Sequence, residues 1–238
     1  MHQFIFYVPS NKITDDIAIL EGDEFRHCIQ VLRKKAGEEI ALFNGQGDIY
    51  TARIGGLTKN SCECRITSRK KAERQMPADI ILAVGLIKSK ALNLIIREAS
   101  ALGVTQFVPL LTKHSVKQGF NSERMRKIAI ESVKQSSNFY LPEICQPIEL
   151  KNWLDSVASV PAKLVAEQEN SMSIKSALNR YADDKKVALL IGPEGGLHSE
   201  EIESAVAKGF IPVNIHSNRL RTELAAIVAV TSIFAHFN

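Results

Sequence analysis

Cysteine is scarce and scattered: Cys28, Cys62, Cys64 and Cys145 form neither the CxxC pairs of a zinc site nor the density of a disulfide-built secreted scaffold. Free thiols in a reducing cytoplasm are the expected state. The six histidines are dispersed, with none paired at ligand spacing, so no metal centre is expected. No apolar run has the length of a membrane span; the longest, Leu224 to Phe237, carries His236 near its end. The opening stretch MHQFIFYVPSNK has no basic leader and meets Pro9 early, which argues against a signal peptide and for a soluble protein. Two nucleotide-binding signatures are missing as well: no Gly-Lys-Ser/Thr closes a phosphate loop, and no GxGxxG follows a strand. The net charge of +4 and pI near 8.8 are only mildly basic, which permits a polyanionic partner without demanding one.

What is present is an ordinary globular composition, 45% apolar over 238 residues, enough for one large or two modest domains. The charge is unevenly spread. Residues 75 to 140 hold nine Lys or Arg (Lys88, Lys90, Arg97, Lys113, Lys117, Arg124, Arg126, Lys127, Lys134) against four acids, and the stretch after residue 140 runs slightly acidic.

Residues 1–70 read as a small, mostly β domain. Short apolar runs (Phe4 to Val8, Ile17 to Leu20, Glu39 to Phe43, Ile49 to Ile54, Ser61 to Ile66) alternate with turn signals, and Asn44-Gly45 followed by Gly47 predicts a hairpin. Phe25, Cys28, Ile29 and Leu32 recur at helical spacing and predict one helix. The charged run from Ser68 to Gln75 lacks apolar periodicity and reads as a linker, placed at 71–78. From residue 79 to 238 the pattern becomes strand, helix, strand. Ile80 to Ile87, Val104 to Leu111, Lys163 to Ala166, Val187 to Ile191 and Phe210 to Ile215 are the expected strands. Ser89, Ser122 and Thr222 are the expected caps of three helices, and Ser173 to Tyr181 reads as a shorter one. Such alternation predicts an α/β domain with a mostly parallel sheet.

Two loops in the last quarter of the chain sit where ligands bind in such sheets, outside the carboxyl ends of strands. The first is Gly192-Pro193-Glu194-Gly195-Gly196; the second runs from His216 through Arg221 to Glu223. On local physics alone the first is best read as a tight turn with Glu194 solvated, since Gly and Pro mark many silent turns. In the second, an arginine at the positive end of a helix is unfavourable unless it faces an anion, so Arg221 is a candidate for a phosphate or a developing oxyanion. Lys88 and Lys90 are equally readable as solvated charges or phosphate contacts. His27 and His114 carry no catalytic signature of their own.

Taken together, these residues resemble the bacterial RsmE family of small-subunit ribosomal RNA methyltransferases, of the SPOUT superfamily. The resemblance is carried by LLIGPEGGL before a Ser-Glu-Glu-Ile helix and by LRTE entering an Ala-rich final helix. His27 with Val31-Leu32-Arg33, Ile87-Lys88-Ser89-Lys90, Lys134-Gln135-Ser136 and Leu141-Pro142-Glu143-Ile144 add to it in the same order. It covers nearly the whole chain. The resemblance implies an N-terminal PUA-like RNA-binding domain and a C-terminal α/β domain tied in a deep trefoil knot, binding S-adenosylmethionine as a homodimer. The implied reaction is methylation of N3 of one uridine in 16S ribosomal RNA, probed against two alternatives, a ribose 2′-O-methyltransferase and a non-catalytic ribosome-assembly protein.

Carried over position by position, the cofactor set is Val165, Ala166, Glu167 and Gln168, then Gly192, Pro193, Glu194, Gly195 and Gly196, then Ile215, His216, Ser217, Leu220 and Arg221. The catalytic set is Arg221 with Glu223 and Glu194. The RNA-contact set is Arg26, His27, Arg33, Lys88, Lys90, Arg97, Lys113, Lys134 and Gln135. This chain departs from the family pattern in two places. Gln135-Ser136-Ser137-Asn138 stands where Gln-Ser-Gly-Arg is usual, and His216-Ser217-Asn218-Arg219 enters Leu220-Arg221 where a Gly-x-Arg opening is usual. The target RNA is expected within the small ribosomal subunit, and the location is expected to be cytoplasmic.

Overall fold

A computed structural model describes residues 4–116, 119–169, 171–181 and 185–238; Lys117 of the basic stretch lies outside them. The chain divides into two units, residues 1–74 with Val133–Leu141, and residues 75–132 with 142–238.

The first unit is built on five strands, β1 (Ile5–Tyr7), β2 (Ile17–Glu21), β3 (Glu39–Phe43), β4 (Asp48–Leu57) and β5 (Ser61–Lys71), in the order β1-β3-β4-β5-β2. Among the described residues of this unit, only β1 and β3 pair in parallel; the remaining pairs are antiparallel. Between β2 and β3 a helical turn, α1 (Gly22–Phe25), continues into a π-helical stretch to Val31 and buries Phe25 and Cys28. The expected hairpin joins β3 to β4, with Gly45 and Gly47 at φ of 79° and 87°, values that a side chain would strain. Strand β5 runs further than expected. Its charged end pairs Lys70 with Ile49 and Lys71 with Asp48, so residues 72–78 are left as the segment without a helix or strand.

All four cysteines are free. Burial pushes the Cys28 thiol up to about 12 and Cys145 up to about 11, so both stay protonated and unreactive near neutral pH.

The second unit is an eight-stranded sheet with helices on both faces. Its elements are β6 (Asp79–Gly85), α2 (Ser89–Leu102), β7 (Gln106–Leu111), α3 (Ser122–Ser136), β8 (Glu143–Ile144), β9 (Ile148–Glu149), α4 (Leu150–Ser156), β10 (Ala162–Ala166), β11 (Met172–Ser173), α5 (Ile174–Leu178), β12 (Lys186–Ile191), α6 (Ser199–Ala207), β13 (Ile211–Asn214) and α7 (Thr222–Phe237). The last turn of α3 belongs to the first unit. The strand order is β11-β13-β10-β12-β6-β7-β8, with β9 also on β7, and every pairing is parallel.

Strands β6 and β12 are continuously apolar because both faces are covered. On one face Ile81, Ala83, Ala188 and Leu190 meet Trp153 and Leu154 of α4, Ala205 of α6, and Phe210. On the other, α7 packs on β6, β12 and α2, and α2 buries Leu92, Ile95, Ile96 and Ala99. Each such Leu or Ile contributes about 1.5–3 kcal/mol.

The expected caps shift by one residue. Ser89 and Thr222 are first helical residues, and the N-caps are Lys88 and Arg221. At α3 it is Asn121, one residue before Ser122, whose Oδ1 accepts from the Arg124 N–H at 2.9 Å. Thr222 is only 5% exposed, buried at the first position of α7.

Candidate functional site

In-register parallel pairing brings five loops to the carboxyl edge of the sheet: 86–88 after β6, 112–116 after β7, 167–169 after β10, 192–198 after β12 and 215–221 after β13. Three of them, those after β10, β12 and β13, wall one groove of about 1230 Å³. Residues 166–169, 191–197, 213–216 and 218–223 line it, and Lys88 at the end of the β6 loop, with Lys90, Ala91, Asn93, Leu94 and Arg97 of α2, closes one side.

The loop after β12 is shaped by missing side chains. A Cβ on Gly192 would lie 2.9 Å from the Leu197 backbone nitrogen, so the turn folds back on itself only with glycine there. Pro193 sits against the end of β6, where a Cβ on Gly85 would come within 2.5 Å of its ring. The Gly196 N–H donates to the Pro193 carbonyl at 2.8 Å and closes the turn. Beyond it, the His198 Nδ1 accepts from the Glu200 N–H at 3.4 Å, and the Glu201 carboxylate accepts from the His198 N–H at 2.8 Å, a reciprocal cap that starts α6. The Lys113 ammonium donates to Glu200 at 2.5 Å and to His198 Nδ1 at 3.2 Å. Its hydrogen bond holds the Glu200 carboxyl below the usual carboxylate range.

The loop after β13 is held locally. Asn214 Oδ1 accepts from the His216 N–H at 2.9 Å, and His216 Nδ1 accepts from the Asn218 N–H at 3.0 Å. Two nested side-chain turns thus carry the chain to Arg221, whose backbone is extended (φ −67°, ψ 153°) as α7 begins. Both residues at the departure from the family pattern, His216 and Asn218, take part in this local brace. The Glu167 N–H donates to the Val213 carbonyl at 3.0 Å and ties the β10 loop alongside.

The expected catalytic residues Arg221, Glu223 and Glu194 all line the groove. Of the cofactor set, Ala166, Glu167, Gln168, residues 192–196, Ile215, His216, Leu220 and Arg221 line it too. Val165 does not: strand alternation puts it on the face opposite Ala166, where it is fully buried in the sheet core with Trp153 and Phe210. Ser217 is exposed at the loop tip and does not line the groove.

Of the RNA-contact set, Lys88, Lys90 and Arg97 flank the groove, while Lys113 is engaged by α6. In the other unit, Lys134 is held in a buried ion pair. Its ammonium, with a side chain 9% exposed, donates to both oxygens of Glu24 at 3.0 and 3.1 Å above the Phe6 ring. A pair this buried is costly to break, since the partner would be left as an uncompensated charge. The His27 ring meets Phe6 edge-on, Arg26 pairs with Asp23, and Arg33 and Gln135 are exposed.

Asn93 and Leu94 were not anticipated. The signal was available, since positions 90, 93, 94 and 97 fall on one helical face opposite Leu92, Ile95 and Ile96.

A parallel α/β unit whose glycine- and arginine-bearing loops wall one groove, with lysines and arginine at its side, has the make-up of an enzyme acting on a polyanion. The chain belongs to the RNA methyltransferase family: residues 74–234 match the RNA methyltransferase domain, and residues 20–67 match the RNA methyltransferase PUA domain. It is 30% identical to the ribosomal RNA small subunit methyltransferase E of Rickettsia conorii, over 95% of this chain and 93% of that protein. Among solved structures it is similar to a Legionella pneumophila methyltransferase in complex with bound SAM (29% identity, TM-score 0.85, 98% of this chain and 97% of that one). It is also similar to a ribosomal RNA small subunit methyltransferase E from Neisseria gonorrhoeae bound to S-adenosyl methionine (26% identity, TM-score 0.86, 98% and 97%).

Proposed function

We propose that this protein transfers a methyl group from S-adenosylmethionine to N3 of a uridine in the RNA of the small ribosomal subunit. The observation that carries this reading is the convergence of the loops after β10, β12 and β13 on one groove flanked by Lys88, Lys90 and Arg97. The lining suits the cofactor. Ala166, Ile191, Pro193, Leu197, Val213 and Ile215 offer an apolar bed for a flat base, and Glu167, Glu169 and Glu194 offer carboxylates for hydroxyls and cationic groups. S-adenosylmethionine supplies a methyl group on a positively charged sulfur, so the protein's share of the work is positioning and charge stabilisation.

In this reading Arg221 stabilises the negative charge that grows on the uracil oxygens as the imide proton leaves. Glu223 or Glu194 orients Arg221 or takes that proton. The uridine has to leave its stack to reach the groove, and the cations on α2 hold the flanking phosphates.

Residues 1–70 then act as the RNA-binding domain and residues 79–238 as the methyltransferase domain. Two further features accompany the reading. A trefoil knot is supported by β12 lying between β6 and β10, both of which precede it in the chain. A homodimer is supported by α7, which buries Ala226, Ala229, Val230 and Ile233 on one side yet leaves Leu224 47% exposed and Ile227, Val228 and Phe234 partly exposed. Among the described residues no helix is long and apolar enough to cross a membrane, in keeping with work on ribosomes in the cytoplasm.

Primer extension across small-subunit RNA from a strain lacking the gene tests the assignment. N3-methyluridine blocks Watson–Crick pairing, so a stop present in the parent and absent in the deletion strain is expected. A ribose methylation detected instead, with no such stop, overturns the base assignment. Failure of the protein to bind S-adenosylmethionine by calorimetry overturns the enzymatic reading as a whole.

A further inference from the structure

We infer that His114, on the loop after β7, is a positioning residue for the groove's glycine loop, with His198 fixing the far side of that loop. The inference rests on the cofactor reading above. His114 is 82 residues from Gly196, yet its Nδ1 lies 3.1 Å from the Gly196 carbonyl oxygen. A carbonyl only accepts, so the hydrogen bond requires the proton on Nδ1. The same ring fills the space beside Gly195: a Cβ there would lie 3.1 Å from His114 Cβ and 3.3 Å from Cγ. His114 therefore holds the loop twice, by a polar contact at one glycine and by filling the place of a side chain at the next.

His198 completes the brace with the opposite tautomer. Its Nδ1 accepts from the Lys113 ammonium and from the Glu200 N–H, so its own ring proton lies on Nε2. Its ring meets the His114 ring edge-on, with centroids 6.2 Å apart. Both ends of the segment Gly195 to His198 are thus anchored through residues 113 and 114. Gly195 and Gly196 line the groove, while His114 does not. The histidine acts on the ligand only by fixing the backbone that faces it.

A loop already held in its binding geometry spares the ordering cost of association, so loosening it weakens binding rather than chemistry. His114→Ala is expected to raise the Kd and KM for S-adenosylmethionine about five- to tenfold, the worth of one hydrogen bond, with kcat at saturating cofactor within about twofold. His114→Asn, whose side-chain N–H reaches the place of Nδ1, is expected to restore most of that loss. Gly195→Ala is expected to weaken binding in the parent protein, where the methyl group meets the imidazole, and to do so much less in the His114→Ala background.

The experiment is calorimetry with S-adenosylmethionine on the full chain and these variants, joined to methyl-transfer kinetics and to nitrogen NMR of the two rings in the ligand-free protein. Equal affinity of parent and His114→Ala overturns the brace and leaves the cofactor reading standing. So does strict additivity of the two substitutions, a fall in kcat without a change in KM, or an Nε2–H tautomer at His114. A parent protein that binds no S-adenosylmethionine fails the cofactor reading itself and removes the ground for the inference. Non-additive losses with rescue by Asn support it, and thermal melting of each variant separates a loosened loop from a loosened fold.

Discussion

The loops after β12 and β13 do the same job by different means. The first is held from outside, by His114 and Lys113 on a distant loop and by Pro193 lodged against Gly85. The second is held from within, by Asn214 and His216 bonding to backbone two residues ahead. A turn of small residues has no side chains with which to brace itself, so its geometry depends on neighbours. A turn rich in Asn and His carries its own supports. The departure from the family pattern at His216 to Arg219 therefore sits in the loop that depends least on the rest of the fold.

Arg221→Ala gives the largest effect expected at either loop. If the guanidinium stabilises charge only as the reaction proceeds, the single-turnover rate falls about 100- to 1000-fold, as when one charge-stabilising donor is lost. Cofactor affinity measured by calorimetry changes far less, and an intact rate removes Arg221 from the mechanism. Gly192→Ala follows. Its methyl group meets the Leu197 backbone nitrogen at 2.9 Å, and backbone cannot step aside cheaply. A destabilisation of about 1–3 kcal/mol in urea unfolding is expected, with cofactor affinity reduced in parallel.

Asn214→Ala probes the self-braced loop, removing a hydrogen bond worth about 1 kcal/mol and weakening cofactor binding about fivefold. Because that brace is local, its effect adds to that of His114→Ala. Strong coupling between them, measured by a double-mutant cycle, would break the contrast drawn between the loops.

The smallest effect concerns Glu200. Lys113 holds its carboxyl below the usual 4.5, so the stabilisation is fully present above that value and is lost as pH falls through the lower, folded-state value. Lys113→Met is expected to return the Glu200 titration, followed by carbon NMR, to about 4.5 with little change in melting temperature at neutral pH, because the pair is exposed.

Much of the fold is written in apolar periodicity. Strand β3 matches its expected run, β6, β7, β10, β12 and β13 fall within a few residues of theirs, and Gly103 ends α2 in the left-handed conformation that glycine permits. Helix α4 was not anticipated, although Leu150, Trp153, Leu154 and Val157 carry the spacing that defines it. The three missed caps show how little separates a serine or threonine at the cap from one just inside the helix. Lys134 shows the limit of reading charge. An exposed lysine and a desolvated one bonded to Glu24 look alike in a list of residues, and only packing against Phe6 tells them apart.

Residue order alone settled the α/β class, the two loops at strand ends and, through the order of short motifs, the methyltransferase family, because each depends on neighbours within a few positions. It could not settle which residues brace those loops. His114 meets Gly196 only because β7, β6 and β12 lie side by side in parallel register, bringing their carboxyl ends to one edge of the sheet. Val165 lies in the core next to groove-lining Ala166 for a related reason: the strand's pleat decides which face a residue serves. Contacts between residues far apart in the chain are set by strand order, and strand order exists only once the sheet has formed.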